Sequence, residues 1–367
     1  MISNFIRIEN QEFLFDQLRK GEFNTTQLSE YSKSVLAFCK DWLNGLPELT
    51  INTSGSTGKP KLIQLSREDI TYSVERTEKA LGLKPGFNAL CCLNTDFIAG
   101  KMMLIRSMEI GMNVIVVPPS GNPYKFLEPS ISINFIALVP YQLQAVEEQR
   151  MLPMLNQVDC VIIGGAPLTS NQEEIVNQLE TRVFQTYGMT ETVSHVALKR
   201  LSPQKESHFM GLEKISFRVD HEGRLVILDS KSENEFYTND IVELIDQKRF
   251  RWKGRFDNVV NSGGYKIQLE SVEKLIEEKL NKLGLPFRSF LFSKPHPQLG
   301  EELNLLIESH RLAFSIENKI TKSFKEAIPK YAVPKNIFYI KRFIHTNTDK
   351  VNRKLTLEKV NMMLNND

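Results

Sequence analysis

Between Asn52 and Ser66 the chain reads NTSGSTGKPKLIQLS. Thr53, Ser54, Ser56 and Thr57 place four hydroxyls within six residues, Gly55 and Gly58 punctuate them, and Lys59 follows. Backbone N–H groups, hydroxyl donors and a mobile ammonium suit a polyphosphate, and glycine lets the backbone approach it closely. The same residue types also make an ordinary hairpin tip, so the loop alone leaves both readings open. It is not a Walker A loop: the two glycines are only three apart and Pro60 stands at the Ser/Thr position. The chain then returns to an alternating strand pattern, so no helix N-terminus faces the ligand.

Further along the chain stand five more short stretches. They are GGAPL (164–168), YGMTET (187–192), YTNDIVEL (237–244), GRFDNVVNSGGYKI (254–267) and NTDKVNRKL (347–355).

The elements that must position these residues can be read from periodicity. LSEYSKSVLAFCKDWLNGL has helical spacing and stops at Gly45, and ELTIN (48–52) and KLIQLS (61–66) alternate as strands on either side of the loop. Ser66-Arg67-Glu68-Asp69 opens a helix over about 67–82. NALCCLN and MNVIVVP read as strands with a helix near 99–110 between them. INFIALVP and VDCVIIGG are continuous apolar runs, as strands covered on both faces are. SNQEEIVNQLE reads as a helix capped by Ser170, and RVFQTYG as another strand. This alternation predicts an α/β layered domain. After residue 200 the texture becomes short strands and turns, a β-rich segment expected to form a distorted barrel. Two amphipathic helices follow, with stripes Val272, Leu275, Ile276, Leu280 and Ile316, Ile320, Phe324 and a stop at Gly284. The expected organisation is a large domain, 1–256, and a small α+β domain, 257–367.

The 367 residues are 41% hydrophobic and 25% charged with a formal net charge of +2, which predicts a soluble protein without an overall basic bias toward nucleic acid. No apolar run reaches the length of a membrane span, and the acids in the opening residues argue against a signal peptide. Cys39, Cys91, Cys92 and Cys160 form no CxxC pair. Buried free thiols in a reducing cytoplasm are expected, with no metal cluster and no disulfide framework.

TSGSTGKPK and the five stretches that follow, in this order, resemble the signature motifs of the adenylate-forming superfamily, which includes acyl- and aryl-CoA ligases, luciferase and peptide-synthetase adenylation domains. The resemblance implies two half-reactions: a carboxylate attacks the α-phosphate of Mg-ATP, then a thiol, usually coenzyme A, displaces AMP. Carried over position by position, it implies that Thr53, Ser54, Gly55, Ser56, Thr57, Gly58 and Lys59 hold the β- and γ-phosphates. Gly164, Gly165 and Ala166 would lie beside adenine, and Tyr187, with Gly188, would stack on it. Thr190 would bond the α-phosphate, Glu191 would hold Mg²⁺, and Asp240 and Arg255 would grip the ribose. Asp257 would be the hinge, and Lys350 would bridge the carboxylate and α-phosphate oxygens. The chain departs from the family in four ways. Only 52 residues precede the loop, implying one trimmed α/β subdomain and sheet edges left open or covered in a homodimer. Phe97 stands where a histidine is frequent, Asn239 replaces a glycine, and Asp349 replaces the glycine before the lysine.

TETVSHVALKR is most similar to o-succinylbenzoate–CoA ligases of menaquinone biosynthesis. If residues 193–199 form a regular strand, Val193, His195, Ala197 and Lys199 share one face. His195 and Lys199, with Phe97, would then serve the substrate and its second carboxylate; the competing reading makes them surface strand residues. Another aryl- or fatty-acyl-CoA ligase, or a catalytically inactive nucleotide-binding homologue, is the alternative function.

Overall fold

The computed structural model describes residues 4–52, 62–345 and 351–364. The hairpin β1 (Phe5–Ile8) and β2 (Gln11–Leu14) leads into α1 (Phe15–Lys20) and α2 (Glu30–Leu43). β3 (Glu48–Asn52) and β4 (Leu62–Ser66) form a separate antiparallel ribbon, in register from Glu48 opposite Ser66 to Asn52 opposite Leu62. Residues 53–61 therefore connect the two strands of a hairpin. Ser66 caps α3 (Arg67–Leu81), its Oγ accepting from Asp69 N at 3.1 Å.

The layered body comes next: β5 (Asn88–Cys91), α4 (Ile98–Ile110), β6 (Asn113–Val116), β7 (Phe135–Leu138), α5 (Pro140–Glu148), α6 (Leu152–Leu155), β8 (Cys160–Ile163), α7 (Ser170–Val176) and β9 (Arg182–Met189). β5 to β9 pair in parallel, and β1 joins β6 in parallel at their flank. The continuous apolar runs are buried on both sides because helices cover both faces. Ala89, Val114, Phe135, Cys160 and Phe184 face α2, α3 and α4. Leu90, Ile115, Ile136, Val161 and Val183 face α5, α6 and α7. Adjacent Cys91 and Cys92 fall in these two opposite cores, and all four cysteines are free and buried.

α7 corrects the expected cap. Thr169, not Ser170, receives Gln172 N at 3.2 Å, and the Gln172 side chain bonds Thr169 N at 3.0 Å. The capping box is thus T-x-x-Q at 169–172, and the helix ends at Val176, short of the expected range.

The β-rich segment is corrected too. β10 (Ser194–Ser202), β11 (Phe209–Gly211), β12 (Ile215–Val219), β13 (Arg224–Asp229), β14 (Asn234–Asp246) and β15 (Arg249–Arg255) do not make a body of their own. They continue the α/β sheet in the order β12-β13-β14-β15-β11-β10-β9-β8-β7-β5-β6-β1-β2. Texture alone could not reveal this, because the segment joins the sheet by strand register: β10 turns back onto β9, β11 onto β10, and β15 returns some forty residues later to pair with β11. One consequence matters for the site: β14 and β15 are brought beside the C-terminal end of β9.

Beyond residue 258 a second sheet contains β16 (Val259–Ser262), β17 (Tyr265–Gln268), β18 (Ser289–His296), β19 (Gly300–Glu308) and β20 (Asn336–Ile340). α8 (Leu269–Lys282) and α9 (Phe314–Ala327) pack on it through Val272, Ile276, Leu280, Ile320 and Phe324, forming a core of its own. α10 (Arg353–Leu364) closes the described chain. Among the described residues no helix is long and apolar enough to cross a membrane.

Candidate active site

β9 ends in Tyr187-Gly188-Met189 and reverses through residues 190–193 into β10. Thr192 pins this turn: its Oγ1 accepts from Met189 N at 3.0 Å and donates to Ser194 O at 2.8 Å. Val193 N closes onto Thr190 O at 3.0 Å. Val193 and Ser194 take φ of 53° and 75°, a left-handed conformation that is costly for a β-branched residue. The turn thereby presents Thr190 half-buried and Glu191 exposed. Gly188 is dictated by space: a Cβ there would lie 2.2 Å from Ser194 O and 2.6 Å from His195 Cα. The loop after β8 is held as closely, since a Cβ on Gly164 would lie 2.2 Å from Thr186 Oγ1. Gly164 therefore sits against the strand that carries Tyr187, while a Cβ on Gly165 would face Val139 at 3.5 Å.

Asp240 on β14 is opposite Arg255 on β15. Tyr187 Oη donates to Asp240 Oδ2 at 2.5 Å, and Trp252 Nε1 donates to Oδ1 at 3.0 Å. Arg255 Nη1 lies 3.9 Å from Oδ1, and its Nε and Nη2 reach Asp257 at 3.1 and 3.2 Å. Burial, then the neighbouring Asp240 carboxylate, raises the Tyr187 phenol well above its ordinary value, so it stays a donor. The Tyr187 ring packs on Phe250 and Phe209 with centroids 5.0 and 5.6 Å away. The β9 turn, the β8 loop and the β14–β15 pair thus converge, bringing together Gly164, Tyr187, Asp240 and Arg255 with Asp257 at the edge. Trp252 was not singled out from sequence; its only signal is register, two residues from Gly254 on the strand opposite Asp240.

Thr53 to Lys59 and Lys350 lie outside the described residues. Their flanks are described: the β3–β4 register on one side, and on the other a bridge between His345 and Val351. Arg353 clamps Glu273 of α8 through two hydrogen bonds of 2.8 and 2.9 Å. Phe97 is half-buried at the N-terminus of α4.

The shared face expected for His195 and Lys199 does not form. A bulge between His195 and Ala197 shifts the register and breaks the alternation. Lys199 is half-buried, with its ammonium 5.3 Å from the Phe209 ring centroid and with Glu173, Lys205 and Lys274 as its charged neighbours. His195 turns the other way, 4% exposed, under α3 and α4. Its Nδ1 lies 3.4 Å from Arg106 Nη2 and its Nε2 lies 3.1 Å from Thr77 Oγ1. A guanidinium can only donate, so Nδ1 accepts and the proton resides on Nε2, which donates to Thr77. Burial, then Arg106 and Arg76, push the imidazole well below its ordinary pKa, so it is neutral and both its nitrogens are engaged.

The cation of this corner is Arg106 on α4, which sequence reasoning missed. It is 2% exposed, and burial alone lowers it to about 9. Its Nη2 donates to Ser194 Oγ at 3.2 Å, its Nε has no partner among the described residues, and no described carboxylate pairs with it. Arg76, the other buried arginine here, is paired with Asp229 at 2.9 Å. The overlooked signal was a lone guanidinium inside an otherwise apolar stretch, MMLIRSM.

The sequence profile of the AMP-binding enzyme family matches residues 49–235, and the chain belongs to that family, the adenylate-forming ligases. It is 36% identical to an acyl-CoA synthetase (AMP-forming)/AMP-acid ligase II-like protein of Dyadobacter fermentans, over 93% of this chain and 97% of that one, with a TM-score of 0.61. It is 25% identical to the 2-succinylbenzoate–CoA ligase of Listeria monocytogenes over 87% of this chain and 74% of the relative. The o-succinylbenzoate coenzyme A synthetase of Bacillus subtilis, solved with ATP and magnesium, shares the fold. Its TM-score is 0.69 at 20% identity, over 84% of this chain and 69% of that one.

Proposed function

We propose that this chain joins o-succinylbenzoate to coenzyme A at the expense of ATP, a step of menaquinone biosynthesis in the cytoplasm. In the first half-reaction a carboxylate oxygen attacks the α-phosphorus and pyrophosphate leaves. In the second the thiol sulfur bonds the acyl carbon, the bond to AMP breaks with its electrons, and the thiol proton is released. Both steps bring anions together, so the groups assigned here serve to offset repulsion and to hold the reactants in line. Thr53 to Lys59 take the β- and γ-phosphates, Thr190 the α-phosphate, and Asp240 and Arg255 the ribose. Tyr187, Gly164, Gly165 and Ala166 bound the adenine, Lys350 bridges the reacting oxygens, and Asp257 is the hinge between residues 1–256 and 257–367. Magnesium fits Glu191, an exposed hard carboxylate beside the phosphate-binding threonine, since this ion is held by one or two carboxylates together with phosphate oxygens. When bound it supplies charge neutralisation to those oxygens.

The observation that carries the choice of acid is Arg106. A buried guanidinium without an acid is costly unless a ligand brings the counter-charge. Ser194, half-buried and directly after the Thr190–Glu191 turn, links that guanidinium to the reaction site. An aromatic acid with a second, non-reacting carboxylate meets this need; a fatty acid or benzoate does not. AMP release with a panel of acids tests the reading. O-succinylbenzoate should lead the panel, and Arg106→Gln should raise its KM at least about tenfold, the scale for losing a charged hydrogen bond. Turnover of monocarboxylates with none for o-succinylbenzoate would transfer the enzyme to another acid. Absence of pyrophosphate exchange with every acid would favour a nucleotide-binding protein without catalysis.

A further inference from the structure

Behind the turn that carries Thr190 and Glu191, α3 buries a polar face. Ser73, Arg76 and Thr77 stand at i, i+3 and i+4 and so share one side of the helix, and all three are buried. Buried polar groups are costly unless each finds a partner. Arg76 pairs with Asp229 of β13, and Thr77 Oγ1 lies 3.1 Å from His195 Nε2. Ser73 reaches the turn itself: its Oγ donates to Val193 O at 2.7 Å, across 120 residues of chain.

Val193 is the residue held at a φ of 53°, and a β-branched side chain keeps such a conformation only where its surroundings over-determine it. Within the turn, Thr192 and the bond from Val193 N to Thr190 O give that support. From outside, Arg106 meets only a side chain, Ser194 Oγ. Among the described residues, Ser73 is the side chain outside the turn that bonds its backbone. The helix that carries Ser73 starts directly after β4, one arm of the hairpin whose connecting residues are assigned to the β- and γ-phosphates. One helix therefore runs from that hairpin to the turn. We propose that Ser73 is a positioning residue for the phosphate site: through Val193 O it fixes Thr190 and Glu191 relative to the β3–β4 hairpin. This rests on the reading that the turn meets the α-phosphate and magnesium.

Ser107 supplies the control. It is as deeply buried, on α4, but its Oγ donates to Met103 O of its own helix at 2.8 Å. Ser73→Ala and Ser107→Ala remove the same buried hydroxyl, so a general loss of packing should weigh on both. The Kd for magnesium α,β-methylene-ATP, measured by calorimetry, should rise at least about fivefold in Ser73→Ala, the scale of one buried carbonyl left unpaired. It should stay within about twofold of wild type in Ser107→Ala, whose hydroxyl only bonds back onto its own helix. Adenosine, which has no phosphate, should compete for the site equally well in both. If Ser73→Ala does not fold, Ser73→Cys, with a weaker S–H donor of nearly the same size, carries the same comparison. Equal Kd values for the analogue in the Ser73 and Ser107 variants, or a matching loss of adenosine affinity in Ser73→Ala, would overturn the proposal and leave the ligase reading intact. Should Thr190→Val and Glu191→Gln also bind the analogue as wild type does, the phosphate reading of the turn falls and the proposal with it.

Discussion

Asp240 is held by side chains on both of its oxygens, Tyr187 Oη on one and Trp252 Nε1 on the other. A carboxylate fixed in this way has little rotational freedom left to lose when a diol arrives, which is the advantage of preorganisation. Trp252 is thus a positioning residue for the proposed ribose contact. Trp252→Phe removes the N–H and keeps most of the ring. It should raise the KM for ATP about three- to tenfold, the scale of one hydrogen bond to a charged group, with a smaller change in kcat. The sharper measurement uses 3′-deoxy-ATP and 2′-deoxy-ATP. If Trp252 acts through Asp240 and the ribose, the penalty of Trp252→Phe should largely vanish with the analogue lacking the chelated hydroxyl. An equal penalty with all three nucleotides would reduce Trp252 to packing. Asp240 and Arg255 could be singled out from sequence because each lies in a contiguous motif, and the structure sets them opposite one another on β14 and β15. Trp252 was not, because its hydrogen bond to Asp240 depends on the pairing of β14 with β15, where it stands opposite Val242, and register is not written in one strand's composition.

At the scale of elements, the alternating α/β body, the β3–β4 hairpin and the striped α8 and α9 were all readable, since each rests on local periodicity and caps. Besides the β-rich segment, whose strands join the main sheet by pairing, the failures came where a single residue changes the geometry. One extra residue in β10 sends His195 and Lys199 to different surroundings, and Thr169 displaces Ser170 as a cap by one position. α10 illustrates a dependence that sequence also hides. Its first residue, Arg353, grips Glu273 of α8 bidentately, and Glu273 also accepts from Leu291 N at 2.7 Å on β18. This clamp fixes the start of α10 three residues from Lys350. Glu273→Gln keeps the size but loses the charge-assisted pair, which is the stronger kind of hydrogen bond. If the clamp sets the lysine, the variant should slow adenylate formation, read by pyrophosphate exchange, at least about fivefold, on the scale of one such bond. Transfer from a supplied acyl-adenylate should change less. A drop in melting temperature with both half-reactions affected alike would make the clamp purely structural.

For the whole molecule, the question is how firmly the second sheet and its helices are tied to the first. α8 meets α7 through Lys274 and Glu173 at 3.5 Å and through Asn171 N and Glu277 Oε1 at 3.4 Å. Pairs this long and partly exposed contribute little, about 0–1 kcal/mol each. Nearer the crossing, Glu270 accepts from Arg255 N at 3.2 Å and from Asn258 Nδ2 at 2.6 Å, and Gln268 Nε2 donates to Arg255 O at 2.9 Å. The chain itself crosses through the 3₁₀ turn Phe256–Asn258, where the Asp257 carboxylate is held by Arg255. The two bodies have separate cores, and among the described residues their firmest ties gather at the crossing itself; the proposed hinge at Asp257 would let one site serve two chemistries in turn. Asp257→Pro stiffens φ at this position and removes the carboxylate. If Asp257 is a hinge, one half-reaction should persist within about threefold of wild type while the other falls at least about tenfold, because a rigid crossing favours a single arrangement. Pyrophosphate exchange and single-turnover thioester formation, measured side by side, decide it. Loss of both in equal measure, or of neither, would remove the hinge from the mechanism and leave Asp257 as a cap for Arg255.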